Sequence, residues 1–499
     1  MEKVSHSGVL ETGKRITSLY LFYISCIIVP LYMRNSYFQL MEAKSGIYIR
    51  LAVPGIVIGC LLSIASFFTE DWSGKTAGFP AGFRIRIGTL LLFAVMIWAL
   101  VATRFSYDPK LSFSGAVGWS MGSLMTIVLV MGTLILTRLR LEDSEWIWIP
   151  VIGINAIIFI ILILQSGGMD PFALLRQVAP PDRFTYLTTI GQKNSFAGYF
   201  CLLMPVFWCF YLSCKDRIHM ALYGAFSLLG FFGMILSESD SVYAGCAAGA
   251  MFLLPYMFGT CRRAMRTASL LVMFGICSMI IGNCRVFHQK AAGMQDLSAA
   301  VLRIPCSAGI IAAGALICLL VHCLGKVNEE KGLRFLWITL EVLLCAAVVL
   351  WLFYTIRHFD DDWGTMRGKI WRVGWEAYGQ FSVRQKMTGI GPEMLTVIYR
   401  PLRAETGINI VAAHNEPLQI LLTQGAVGLL IYVLFWIYML GCFCMTRVRR
   451  DDWEKGAVYF IPLASYFGQS LFCSAYPASA VLFSVMTAIF LQRIYKLRE

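Results

Sequence analysis

Long apolar runs, broken by short polar stretches, set the pattern of this chain. Fourteen of them lie near 16–33, 47–68, 86–104, 114–136, 145–165, 195–213, 219–236, 241–259, 267–284, 304–324, 335–355, 416–443, 456–474 and 478–492. A helix rising 1.5 Å per residue needs about 20 apolar residues to cross the hydrocarbon of a bilayer. The runs have that length, and the breaks between most of them are too short to carry a domain. The pattern predicts an all-α fold, a polytopic bundle of about 14 membrane spans forming one integral membrane domain over 1–499. Two polar segments, 166–194 and 356–415, are longer than a connection needs to be.

Composition agrees with the pattern: 58% of the residues are hydrophobic and 14% charged. The formal charge of +13 is unevenly spread. Basic residues gather in every second break, at Lys14/Arg15, Lys75/Arg84/Arg86, Arg138/Arg140, Lys215/Arg217, Arg262/Arg263/Arg266, Lys326/Lys331/Arg334, Arg447/Arg449/Arg450 and Arg493/Lys496/Arg498. Short cytoplasmic loops retain Lys and Arg, so this alternation predicts a plasma-membrane protein with both termini cytoplasmic. The two long segments then lie outside. The charge is a retention signal and calls for no nucleic acid. The amino-terminal stretch lacks a cleavable signal pattern, so the first run reads as a signal anchor. Nearly all of the sixteen cysteines fall in or beside apolar runs, where they pack as small apolar residues and show no metal-type spacing.

The second long segment carries the candidate chemistry. In "HFDDDWGTMRGKIWRVGWEAYGQF" the residues Trp363, Arg367, Trp371, Trp375 and Tyr378 recur at steps of three or four, one face of a helix. Trp and Tyr favour the headgroup level, so 362–380 is expected to be an amphipathic helix on the outer membrane surface. "GIGPEML" (389–395) predicts a turn into a second short helix that ends near "YRPLRAETG". His414 follows where the chain re-enters the membrane, with Asn415 as a candidate helix cap. Arg357, Arg367, Arg372, Arg384, Arg400 and Arg403 all fall in this outer segment. Guanidinium forks match phosphate oxygens, and the same side chains also snorkel to lipid headgroups. A neutral imidazole suits proton transfer from a hydroxyl, and an interfacial histidine also suits a helix start.

Other ionisable groups give weaker signals. His288 and His358 are expected to be solvated. Asp360–Asp362 reads either as a cation or base site or as acidic residues flanking a helix start. Glu341, inside an apolar run, supports an alternative class, a transporter or flippase of lipid-linked oligosaccharide.

His414-Asn415, nine residues, then Gly425-Ala426-Val427-Gly428 resembles the H-[NSQ]-x9-G-x-x-[GTY] signature of the O-antigen ligase family, which includes related polymerases. "MRGKIWRVGWEAY" resembles the family's arginine segment, with Arg367 at the arginine and Trp371 four residues on, and "TGIGPEML" resembles its G-[VI]-G-P element. "IGQKNSFAGYF" (190–200) is similar to its G-N-x-N-x-x-A-G-Y run, with Gln192 in place of the first Asn and Asn194 retained. The family usually has Ser-Arg at a short outer turn where this chain has "SESDSVYAG", so Asp240 stands at an expected arginine. A second cation would then come from Arg183, Lys193, Arg400 or Arg403.

The resemblance implies an inverting glycosyltransferase with an undecaprenyl-diphosphate-linked glycan as donor and a glycan or glycolipid as acceptor. It implies no cofactor, nucleotide sugar or metal. His414 would be the base, and Arg367, Arg372, Arg183, Lys193, Asn194, Arg400 and Arg403 the candidates to hold diphosphate or substrate. Ligase and polymerase remain open.

Overall fold

The computed structural model describes residues 6–71, 86–116, 119–141, 144–294, 296–408, 410–448 and 453–498. The basic positions Lys75, Arg84, Arg449 and Arg450 lie outside them. The described chain is helical almost throughout, with one two-stranded hairpin, Tyr186–Leu187 against Gly191–Gln192. Eleven described helices are long and apolar enough to cross a membrane. The expected runs 114–136, 241–259 and 456–474 coincide with helices Ser123–Leu139, Asp240–Met257 and Trp453–Ser470, which are shorter or less apolar.

The chain divides into two compact units. One comprises Met1–Val151, Ile370–Gly456 and Ser474–Glu499. Its first helix runs from His6 through a π-helical turn at Ile24–Ile28 and stops at Leu31, just after Pro30. The carbonyls left open there are taken by the buried ammonium of Lys44, which donates to Val29 O at 2.7 Å, Pro30 O at 2.9 Å and Tyr32 O at 3.1 Å. The Pro477–Arg498 helix is the core of this unit and is joined to Ser123–Leu139 by Thr133 and Ser484, whose hydroxyls are 2.7 Å apart. Such interhelical hydroxyl bonds replace a hydrophobic driving force that lipid does not supply.

The other unit comprises Ile152–Lys369 and Ala457–Cys473. Its centre is the Lys193–Ser213 helix, 94% buried over its apolar window. A helix apolar on all sides is covered on all sides. Phe196, Phe200 and Phe207 of this helix mesh with Phe159 and Phe226, ring centroids 4.8–6.3 Å apart.

Helical hydrogen bonding continues through Ile304–Arg357, the two expected runs 304–324 and 335–355 together. A straight helix of that length would reach about 80 Å. Both ends nevertheless stand beside one group of residues. Ser298, just before the helix, bonds to Asp240. Trp351, near its other end, packs on Phe472, and Gln469 of the same segment reaches Asn194 O. Asn194 in turn bonds to Ser239, next to Asp240. The helix therefore doubles back, and Ile317 and Val321 share a buried cluster with Leu333 and Leu336.

Candidate active site

In the unit centred on the Lys193–Ser213 helix, the small hairpin fixes where that helix begins. Thr188 N–H donates to Gln165 Oε1 at 2.8 Å, and Ile190 N–H to Thr188 Oγ1 at 3.1 Å. The strand 191–192 then delivers Lys193 and Asn194 as the first residues of the helix. Asn194 is buried, its Oδ1 accepting from Ser239 Oγ at 3.0 Å, so it ties two helices together. The Lys193 ammonium lies 5.4 Å from the Phe184 ring and within electrostatic reach of Glu238, Lys290, Arg367 and Asp240.

That group of charges is organised. Lys290 Nζ pairs with Glu238 Oε1 at 2.7 Å, both side chains largely buried. Glu238 has φ of 52°, a left-handed conformation that costs a non-glycine residue about 1 kcal/mol or more. Asp240 is committed to the start of the Asp296–Leu302 helix. Its Oδ1 accepts from Ser298 N at 3.2 Å and Ser298 Oγ at 3.0 Å, and its Oδ2 from Leu297 N at 3.4 Å. Arg367 is half-buried, donating through Nε to Phe472 O at 3.1 Å and through Nη1 to Gly364 O at 2.8 Å. Gly364, Thr365 and Met366 all have positive φ, so a left-handed turn aims the Gly364 carbonyl at this guanidinium. The regular helix begins only at Arg367.

The Asp360–Asp362 run closes that turn through its backbone, Asp361 O accepting from Lys369 N at 3.1 Å and Asp362 O from Met366 N at 3.3 Å. Among the described residues no group of three or more His, Cys, Asp and Glu could hold a metal ion. Arg183 is exposed and donates to Val178 O at 3.1 Å. His288 and His358 are exposed, His358 stacking on Tyr354.

In the unit built on Pro477–Arg498, the peptide before His414 is held from both sides. Trp371 Nε1 donates to Ala413 O at 3.0 Å, and Ala413 N–H donates to Gln419 Oε1 at 3.2 Å. The same Gln419 oxygen accepts from Ser474 Oγ at 2.6 Å. Asn415 caps the helix Glu416–Val448, its Oδ1 accepting from Leu418 N at 2.8 Å. His414 sits half-buried between clamp and cap, with φ of 49°.

The helix entered at Glu416 breaks at Gly425, φ 71° and ψ −174°. Its interrupted carbonyls find new donors: Ile390 N–H on Leu422 O at 3.1 Å, Gly391 N–H on Thr423 O at 2.9 Å, Trp98 Nε1 on Gln424 O at 2.8 Å. The "GIGP" turn is thus the partner of the break. A Cβ on Gly425 would meet the Met387 carbonyl, and one on Gly389 the Thr423 peptide. The nine residues between Asn415 and Gly425 are a helical strut of fixed length, closed by a cap at one end and a backbone break at the other. Gly428 lies against Gln424 Cβ and the Trp98 indole. Glu393, next in the turn, is half-buried and accepts from Ala116 N and Met121 N, both at 3.1 Å. Burial raises its carboxyl to about 7, against the lowering effect of those two bonds.

Arg372 is exposed and pairs with Glu376 at 3.2 Å. Arg400 and Arg403 are exposed on the short helix Arg400–Thr406. The residues that the Trp363–Gln380 helix buries are Gly368, Ile370 and Gly374, while Trp375 stays exposed. The aromatic face therefore borders the packed side and does not form it. Sequence reasoning missed Glu238, Lys290, Gln419, Glu393 and Trp98, none of which stands in a recurrent local pattern.

Residues 306–433 match the family model for O-antigen ligase. The match contains Arg367, the "GIGP" turn and the stretch from His414 to Gly428, and leaves Lys193, Asn194 and Lys290 outside. No curated protein matches the chain.

Proposed function

We propose that this many-span chain with an O-antigen ligase domain transfers a glycan from a lipid-diphosphate carrier of the undecaprenyl type to an acceptor hydroxyl, in the making of a cell-surface polysaccharide. The acceptor oxygen attacks the anomeric carbon and gives its proton to His414. The bond from that carbon to the diphosphate oxygen breaks, and attack from the opposite face inverts the configuration. Arg367 and Lys193 hold the diphosphate and stabilise the charge that grows on it as it leaves. The acceptor is a second glycan in a polymerase or a glycolipid core in a ligase, and the chemistry is the same. The reaction belongs at the outer face of the plasma membrane, a side that the alternation of basic loops supports for the segment 356–415.

The observation that supports this reading most is the frame around His414. An interfacial histidine that only starts a helix needs no indole and no amide fixing the peptide before it, whereas a general base must be held within about 3 Å of its proton. Purified protein, a lipid-linked donor and an acceptor test it. His414→Ala is expected to keep the thermal stability of the parent and lose transfer by about a hundredfold or more, while EDTA leaves the parent's rate unchanged. Full transfer by the alanine variant would refute the role. Vesicle uptake of lipid-linked oligosaccharide without any transfer would favour the transporter class instead.

A further inference from the structure

The cations gathered near Lys193 exceed what the resident carboxylates can match. Lys193, Lys290 and Arg367 carry three positive charges against Glu238 and Asp240. Asp240 accepts through both its oxygens from the start of the Asp296–Leu302 helix. Glu238 reaches Lys290 from a left-handed turn position that favours glycine. Its side chain and that of Lys290 are 12% and 15% exposed, so the pair is largely desolvated. An excess positive charge in such surroundings is costly, and an arriving anion relieves the cost.

We infer that Lys290 is a third cation of the diphosphate site, and that Glu238 is its resident counter-ion, which gives way when the diphosphate of the carrier lipid arrives. The inference rests on the function proposed above and adds a residue and an exchange to it. With Glu238 turned away, the three cations face Asp240 and the two negative charges of a diphosphate diester, and the group is neutral. At Asp240, where the resemblance leads one to expect an arginine, this chain holds a carboxylate. The missing positive charge comes instead from Lys290, on the separate helix His288–Gly293. Lysine suits the exchange, because a compact ammonium on a flexible stem passes from one oxyanion to another without a fixed fork geometry.

Binding of farnesyl diphosphate and of inorganic pyrophosphate to the full-length protein in detergent, by calorimetry, tests the exchange. Lys290→Ala is expected to weaken farnesyl diphosphate at least tenfold, and Glu238→Gln to tighten it severalfold by removing the competitor. Pyrophosphate should bind more weakly than the prenylated ligand in the parent; equal or tighter binding would overturn the lipid as the source of the anion. Lys290→Ala with unchanged affinity, or Glu238→Gln with unchanged or weaker affinity, would overturn the exchange and leave a structural ion pair. Should the alanine variant not fold, the Glu238→Gln result decides alone. Transfer measured on the same preparations separates this inference from the function. Lys290-dependent binding in a parent that transfers nothing refutes the function and spares the site, while His414-dependent transfer with a silent Lys290 does the reverse.

Discussion

Gly425→Ala is the substitution on which the architecture around His414 depends most directly. At φ 71° and ψ −174° the residue occupies a region essentially reserved for glycine. Forcing alanine there costs about 1–3 kcal/mol in backbone strain alone. The added methyl would also run into the Met387 carbonyl, which is main chain and cannot rotate away. Relief requires the turn at 387–391 to lift off, and with it go the bonds of Ile390 N–H to Leu422 O and Gly391 N–H to Thr423 O. Each contributes about 0.5–1.5 kcal/mol net, and more if the carbonyl stays buried without a donor. The total is about 2–6 kcal/mol, a large part of the roughly 5–15 kcal/mol that holds a typical native state. Gly441→Ala in the same helix is the control: nothing lies within 4 Å of its new methyl, and helix propensity favours alanine there. Thermal unfolding in detergent, followed by tryptophan fluorescence, should drop by about 5 °C or more for Gly425→Ala and not for Gly441→Ala, with transfer lost only in the first. Equal stability and activity in the two variants would show that the break in the helix is dispensable.

Two further outcomes follow from the same region. Gln419→Ala removes the oxygen that fixes Ala413 N–H and the Ser474 hydroxyl, so transfer is expected to fall about tenfold or more through a lower kcat at unchanged KM, while Gln419→Glu, which keeps the acceptor oxygen, restores it; loss in both variants would mean that the position serves packing only. Glu393, raised to about 7 in the fold from an ordinary 4.5, holds a proton between those values that the unfolded chain has already released. Its contribution to stability is therefore greatest at or below about pH 4.5 and declines as pH rises to about 7, by roughly 3 kcal/mol in all. Glu393→Gln should flatten the dependence of the unfolding temperature between pH 5 and 8, and a slope identical to the parent's would exclude this carboxyl as its source.

How much of this was legible in the sequence depends on the range over which each feature is determined. Apolar runs reflect local chemistry, so every predicted run falls on a helix. The Asn415 cap was legible for the same reason: an amide three residues before the Leu418 N–H it accepts is a local motif. The two runs 304–324 and 335–355 were legible as spans, but not the contact in which they double back on one another. The left-handed turn before Arg367 was hidden, because Thr365 and Met366 have no preference for positive φ. Steps of three and four marked the Trp363–Gln380 helix but gave no sign of which residues it buries, Gly368, Ile370 and Gly374. Gly425 shows the limit best. From the sequence it is a small residue in an apolar helix, suited to close packing, and "QILLTQGAVGLLIYV" gives no sign of an interruption. The interruption exists because the amides of Ile390 and Gly391, more than thirty residues earlier, take the carbonyls that an unbroken helix would keep. Signature spacings around His414 are thus local in what they state and tertiary in why they hold: nine residues after Asn415 is the length of helix that brings Leu422 and Thr423 to the "GIGP" turn.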